Sequence, residues 1–430
     1  MLCFLYICLR TRKLKFPAMK TSLLFILILM LVTFSCKKAE PISEEPANLL
    51  EKSAELIEAD NSFGLDLFSR VVAKAEKNTN TSVSPLSVSL ALAMTYNGAS
   101  GETKIEMENA MKFSGITTAQ INHSHQALVA ALKSSDPEVV LEIANAIYYQ
   151  QGFKVEPNFI STNREFYDSE INSLNFGLPV DALKIINGWV ALKTHDKIPI
   201  ILEKIDGGMT MVLLNAVYFN GIWKSKFKDK ETHNQPFYLS DGTYMKTPMM
   251  KQETALEYAS GELFSAVNLP YGKGQFQMTV ILPNRNKTTK DVISALNTEN
   301  WRLWMKSFKN ENQVVVTMPR FKFSWNLELN EALIEMGMKQ AFLPGSANFT
   351  GISKAGNLFI SSVIHKTYID VNENGTEAAA VTAVIMTTGE SGPDVRKHFY
   401  VDRPFLFAIT EKTSGAILFI GEITNPQYPI

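Results

Sequence analysis

A chain of 430 residues with 46% hydrophobic and 20% charged residues has the balance of an ordinary globular protein, long enough for one large domain or two. Its net charge of −1 and scattered basic residues give no field for nucleic acid, and no RNP, zinc-finger or basic-helix signature is present. The three cysteines, Cys3, Cys8 and Cys36, lie within the first 36 residues, which excludes a disulfide framework in the rest of the chain and argues against a Cys/His metal site there.

At the front, Lys20 precedes an apolar run from Leu23 to Phe34, followed by Ser35-Cys36-Lys37-Lys38. Such a run suits a signal h-region and falls short of a membrane span. A small residue directly before a cysteine at its end resembles a bacterial lipoprotein signal, although Thr33 and bulky Phe34 depart from the usual pattern. That resemblance implies a signal peptide, a lipid on the Cys36 thiol, and an exported protein anchored to the outer membrane or cell surface. An uncleaved anchor helix and a secreted, extracellular form are the alternatives. Met19-Lys20 is a more natural start than Met1. The chain therefore divides into a leader (1–36), a polar tether (37–53) and a single domain (54–430).

In the body, Phe63, Leu67, Phe68, Val71, Val72 and Ala75 sit at helical spacing. Ser84-Pro85 opens a second helix, with serine as N-cap and proline at the first helical position. From Leu86 to Tyr96 this helix is apolar nearly all round, so it is expected to be buried, with Gly98 ending it. Helices are expected over Glu102–Met111, Ala119–Lys133, Leu183–Thr194 and Leu327–Met336. Strands are expected over Val139–Tyr149, Val212–Phe219, Ala266–Pro270, Gln277–Leu282, Val314–Met318 and Leu358–Val371. Phe405–Thr410 and Ala416–Glu422, joined by a Gly-containing turn, make a closing hairpin. Helices come mainly first and strands later, without βαβ alternation, which points to α+β.

The segment Thr376–Thr387 is apolar or small on both faces. Thr376, Ala378, Ala380, Thr382, Val384 and Met386 line one, and Glu377, Ala379, Val381, Ala383, Ile385 and Thr387 the other. That is the pattern of a central strand, yet it runs into the loop residues Gly389, Ser391, Gly392 and Pro393. A sequence fit for both states suggests a segment that changes place. Its β-branched residues argue against a surface helix.

Catalytic and metal signatures are missing. His123 and His125 face different ways on a helix, and there is no H-E-x-x-H, nucleophile elbow or P-loop. Gly272-Lys-Gly274 reads as a hairpin turn, and no enzymatic activity, metal or cofactor is expected.

Several stretches together resemble the serpin family, in order and spacing, from about residue 60 to Pro426. They are Ser84-Pro-Leu-Ser-Val-Ser-Leu-Ala-Leu-Ala-Met, Ile143-Ala-Asn-Ala, Leu214-Asn-Ala-Val-Tyr-Phe-Asn-Gly-Ile-Trp223 and Leu269-Pro-Tyr. Pro319-Arg-Phe-Lys-Phe, Leu333-Ile-Glu-Met-Gly-Met, Phe349-Thr-Gly-Ile, His365-Lys, Asp402-Arg-Pro-Phe-Leu-Phe and Phe419-Ile-Gly-Glu-Ile-Thr-Asn-Pro follow. The resemblance implies three β-sheets, eight or nine helices and an exposed reactive loop at about 373–400. It also implies a monomeric endopeptidase inhibitor acting as a suicide substrate. A serine protease, or a cysteine protease as second class, cleaves the loop and is trapped in covalent complex as the loop inserts into the large sheet.

By the same resemblance, Glu373, Gly375, Thr376, Glu377, Ala378, Ala379 and Ala380 form the hinge. Ser84, Ser87, Asn215 and His365 form a polar cluster controlling the sheet, and Trp223 marks where the loop first enters. The plain alternatives are a satisfied core histidine with a helix cap, and core aromatic packing. The family's spacing from Glu373 puts the reactive bond at Gly389–Glu390, with Thr388 or Glu390 the alternative specificity residues, the latter favouring a Glu-specific protease. The small residues Thr387–Gly389 fit an elastase-like or subtilisin-like protease. The absence of Arg and Lys between Lys366 and Arg396 argues against a trypsin-like one. A non-inhibitory binding or storage protein on the same fold, or a loop cleaved without trapping, is the alternative function.

Overall fold

The computed structural model describes residues 46–206, 208–376 and 396–428. The chain runs α1 (Pro46–Lys74), β1 (Thr81–Val83), α2 (Pro85–Tyr96), α3 (Gly101–Ala110), α4 (Thr118–Ser134), β2 (Val139–Gln150), α5 (Pro157–Tyr167), β3 (Glu170–Leu174) and α6 (Pro179–Lys193). Next come β4 (Met211–Ile222), β5 (His233–Tyr238), β6 (Tyr244–Ser260), β7 (Phe264–Pro270), β8 (Phe276–Pro283), α7 (Thr289–Ser294), α8 (Thr298–Lys306) and β9 (Lys309–Pro319). β10 (Phe321–Glu328), α9 (Asn330–Glu335), β11 (Ser362–Asn372), β12 (Gly375–Thr376), β13 (Lys397–Tyr400), β14 (Phe405–Glu411) and β15 (Ile417–Ile423) complete the chain. The architecture is α+β with mixed sheets, as expected.

The strands fall into two hydrogen-bonded sets. One is a six-stranded sheet in the order β10-β11-β12-β4-β2-β3. The other links nine strands, with β6 joining its two arms and pairing with β5 as well. Residues Met249–Tyr258 of β6 pair with β9, and β13 continues beyond that strand. Residues Glu257–Ser260 pair with β7, which leads to β8, β14, β15 and β1. The nine-stranded set thus has two arms that meet at β6.

Helix α2 is buried along its whole length and packs against β4, β2 and β15, so it lies in the main core between sheets. A second core lies on the opposite face of the six-stranded sheet. There Ala182, Ile186 and Val190 of α6 and Ile198, Ile201 and Leu202 after it cover Val212, Leu214, Ala216 and Ile364.

Several elements depart from expectation. α1 begins at Pro46, inside the stretch read as a tether. α6 starts earlier than expected, with Pro179 in its first turn. The expected helix from Leu327 is strand through Glu328, and α9 begins only at Asn330. Residues 358–361 precede β11 without joining it. Ser84 does not cap α2 with its side chain. Gly98 does not adopt the left-handed angles of a C-terminal glycine; its role is close approach. A Cβ there would lie 2.2 Å from Ile352 Cγ1, and the Gly98 carbonyl accepts from Gly351 N at 3.1 Å.

Replacing Gly98 with alanine is therefore expected to overpack this contact and destabilise the fold by about 1–3 kcal/mol. A lowered thermal midpoint checks it; an unchanged one would show that Ile352 yields freely.

Candidate functional site

The six-stranded sheet is not continuously paired at its centre. β11 and β4 run parallel and pair directly over only five rows, from Ser362↔Val212 to Lys366↔Ala216. At the far end β12 is wedged between them, antiparallel to both, with Thr376 paired to Val371 and Gly221 and Gly375 to Asn372 and Ile222. Between these two contacts, Thr367–Asp370 faces Val217–Asn220 with no ladder joining them among the described residues. The site is this four-row gap with its two ends.

The upper end is a mouth built around an aromatic stack. Trp223 lies on Tyr271 with ring centroids 4.3 Å apart and planes 13° apart, a contact contributing about 0.5–1.5 kcal/mol beyond burial. Trp223 donates through Nε1 to the Asn372 carbonyl at 2.8 Å and through its backbone N–H to Asn374 O at 2.8 Å. The Tyr271 hydroxyl meets the Thr376 hydroxyl at 2.6 Å, and both residues are buried. Burial pushes the Tyr271 phenol far above its ordinary range, so it stays a neutral hydrogen-bonding group.

Glu373 is also buried. Its Oε1 accepts from Arg320 Nε at 2.6 Å and Thr232 Oγ1 at 2.5 Å, and its carbonyl accepts from Phe227 N at 3.0 Å. Removing Arg320 would strand a buried charge, at a cost of about 3–5 kcal/mol. Gly375 has φ +154°, and a Cβ there would sit 2.1 Å from the Gly221 carbonyl oxygen. Only glycine fits.

The lower end is a buried polar chain across the ladder row His365↔Asn215. The backbone N–H of Ser84 donates to His365 Nε2 at 3.0 Å, which assigns the proton to Nδ1, facing Asn215 Oδ1 at 3.1 Å. Ser87 Oγ donates to the same Asn215 oxygen, and Asn215 Nδ2 donates to Asn145 Oδ1 at 2.8 Å. One chain of bonds thus links the start of α2 to β11, β4 and β2. Burial alone pushes the His365 imidazole down to about 3, which keeps it neutral.

The structure brings Ser84, Ser87, Asn215 and His365 together at one end of the gap. At the other it gathers Trp223, Glu373, Gly375 and Thr376. Glu377, Ala378, Ala379, Ala380, Thr388, Gly389, Glu390 and Cys36 lie outside the described residues. Sequence reasoning gave no role to Tyr271, Arg320, Thr232 or Asn145. Three of them stand inside motif stretches (Leu269-Pro-Tyr, Pro319-Arg and Ile143-Ala-Asn), the only signal that could have pointed to them. Among the described residues, no group of three or more His, Cys, Asp or Glu side chains could hold a metal ion.

Comparison with known proteins gives one answer. The family model described as Serpin (serine protease inhibitor) matches residues 58–426. An uncharacterized serpin-like protein of Thermococcus kodakarensis is 35% identical, with 86% of each chain covered. The human leukocyte elastase inhibitor is 34% identical over 86% of this chain and 100% of its own. Among solved structures, the native state of the thermophilic serpin tengpin matches with a TM-score of 0.78 at 33% identity, covering 86% of this chain and 94% of that one.

The neutral His365 implies a pH effect of definite sign. An unfolded imidazole takes up a proton below about 6.5, while the folded one stays neutral down to about 3. The unfolded state therefore binds more protons throughout that window, and stability falls as pH drops through it. The thermal midpoint should decline from pH 7 to 4, and His365→Gln, which keeps a donor and an acceptor, should flatten the decline.

Proposed function

The chain belongs to the serpin family, and from that premise we propose that it is a suicide-substrate protease inhibitor rather than an enzyme. Its loop, once cut, inserts between β11 and β4 and traps the acyl-enzyme. The observation that carries the reading is the short antiparallel strand Gly375–Thr376, which already occupies the top of the gap and fixes a register for whatever follows.

Continued downward, that register puts the small side chains of Ala378 and Ala380 on the inner face. Ala378 falls between Ile369 and Phe219, and Ala380 between Thr367 and Val217. These four rows, 377–380, fill the gap without breaking any existing pair. From Val381 onward each inserted residue must displace a row of the β11–β4 ladder, ending with Ile385 between Ser362 and Val212. Thr382 falls between His365 and Asn215. Its hydroxyl can accept from His365 Nδ1–H and donate to Asn215 Oδ1, restoring the bond that insertion breaks. In the same register Glu377, the one charge between Gly375 and Ala380, would fall on the outer face, opposite to the core side occupied by Thr376.

The target class follows from the bait. Thr387, Thr388 and Gly389 are small, and the leukocyte elastase inhibitor is a close match over its full length. We assign an elastase-like or subtilisin-like serine protease, with cleavage at Gly389–Glu390 or one residue to either side. Export with a lipid on Cys36 belongs to the same reading and would place the inhibitor at the cell surface, facing secreted proteases.

An elastase is expected to form an SDS-stable complex with this protein and to release a C-terminal fragment beginning between Thr387 and Ser391. Thr376→Arg should turn the inhibitor into a substrate, because it buries an unpaired charge beside Tyr271; unchanged inhibition would sink the insertion reading. Thr382→Val should leave the rate of loop cleavage unaltered while raising the number of inhibitor molecules consumed per protease several-fold. Equal consumption by the two proteins would remove the hydroxyl from the mechanism.

A further inference from the structure

Asparagine followed by glycine occurs four times in the chain, at 97–98, 187–188, 220–221 and 374–375. The pair is chemically weak, because glycine has no side chain to shield its backbone nitrogen from the preceding carboxamide. Whether it reacts depends on how firmly the fold holds the asparagine. Asn97, at the end of α2, donates through Nδ2 to Asn163 Oδ1 at 3.1 Å and accepts at Oδ1 from Asn122 Nδ2 at 2.9 Å. Asn187 lies inside α6, where its Oδ1 accepts from Ile201 N at 2.9 Å and Leu202 N at 3.0 Å. Its Nδ2 donates to Leu202 O at 2.8 Å. Asn220 lies within β4, paired with Val140, and its Nδ2 donates to the Tyr218 hydroxyl at 3.1 Å.

Asn374 differs. It belongs to neither a helix nor a strand but to the two-residue turn, Glu373-Asn374, between β11 and β12. Its backbone is held: the N–H donates to Asn372 Oδ1 at 3.0 Å, and the carbonyl accepts from Trp223 N at 2.8 Å. The residue is half-buried, and its side chain makes no hydrogen bond among the described residues. The glycine after it cannot be exchanged, since a Cβ there would lie 2.1 Å from the Gly221 carbonyl oxygen and 2.7 Å from Ile222 Cα. The fold thus demands the second member of the reactive pair and leaves the first side chain unrestrained.

We propose that Asn374 is a site of spontaneous deamidation, and that this reaction limits the working life of the inhibitor. The Gly375 nitrogen attacks Asn374 Cγ. The new N–Cγ bond forms as the Cγ–Nδ2 bond breaks, and ammonia leaves with the proton from the Gly375 nitrogen. Water then opens the cyclic imide. Addition at Cγ gives aspartate, whereas addition at the main-chain carbonyl carbon gives isoaspartate, whose backbone is one carbon longer. Water is the sole co-reactant. Both products set a carboxylate beside buried Glu373, whose charge Arg320 already balances. Isoaspartate also lengthens the turn that seats Gly375, so β12 loses its place against Gly221 and Ile222. The loss of inhibition rests on the insertion reading, which needs that register; the modification does not.

The test holds the full protein in alkaline buffer, which promotes attack by the Gly375 nitrogen, and in mildly acidic buffer as the slow control. Samples taken with time are mapped by peptide mass, with isoaspartate located by fragmentation, and assayed for inhibitor molecules consumed per elastase. In alkali the peptide carrying Asn374 should gain about one dalton several-fold faster than those carrying Asn97, Asn187 or Asn220. Consumption per elastase should rise in step with that gain. Asn374→Gln, whose longer side chain closes the ring far more slowly, should keep its consumption constant over the same period. Equal or faster change at any of the other three asparagines would overturn the site. If Asn374→Gln loses inhibition at the parent's pace, the limit on working life is overturned. If fresh parent forms no covalent complex, the insertion reading falls together with that limit, and the mass map alone decides the site.

Discussion

Among the described residues, five parallel ladder pairs, Ser362–Lys366 against Val212–Ala216, are the only direct pairing between the two halves of the six-stranded sheet. Parallel pairs are slightly less stable per residue than antiparallel ones. The rows beyond them, Thr367–Asp370 and Val217–Asn220, present facing backbone edges without a strand between. A strand antiparallel to both sides would convert one short parallel contact into two long antiparallel ones and cover those edges. On the proposed insertion reading, strand orientation would favour the expanded sheet, and what keeps the sheet as it is would be kinetic.

The two ends of the gap are built differently. At the top, the Trp223–Tyr271 stack, the Glu373–Arg320 pair and the Thr376 hydroxyl bond hold the start of the hinge in place. In the proposed mechanism, that start would need no search once the loop is cut. At the bottom, the His365–Asn215 chain joins the ladder to α2, so opening the sheet disturbs the main core as well. A neutral, fully buried imidazole suits the bottom position. It offers one donor and one acceptor, and it can exchange partners without moving a charge through the core.

Much of this was legible in residues whose reason is local. The nearly all-apolar α2, the strand-like runs of β4 and β11 and the closing hairpin follow from periodicity and turn chemistry. What escaped was set by tertiary context. β6 carries Pro248 and four charged residues along seventeen positions, so its alternation is blurred, and it is a strand because β5, β7 and β9 all pair with it. β10 alternates Phe321, Phe323, Trp325 and Leu327, a pattern that was there to be read, but Leu327 was drawn into the helical run that follows. In the site, the polar cluster and Trp223 came from family likeness. Tyr271 and Arg320 are ordinary residues until the fold sets one against a tryptophan and the other against a buried glutamate.

The missing Cβ at Gly375 has one more consequence. A strand entering a sheet can err by a single residue, and that error turns every side chain to the wrong face. Here it would drive Glu377 into the core and Thr382 away from His365. Because the backbone at Gly375 lies against the Gly221 carbonyl, neither neighbour, Asn374 or Thr376, can take its seat. The glycine is the zero mark of a ruler, and the spacing from it to Thr382 is read correctly only once the mark is set.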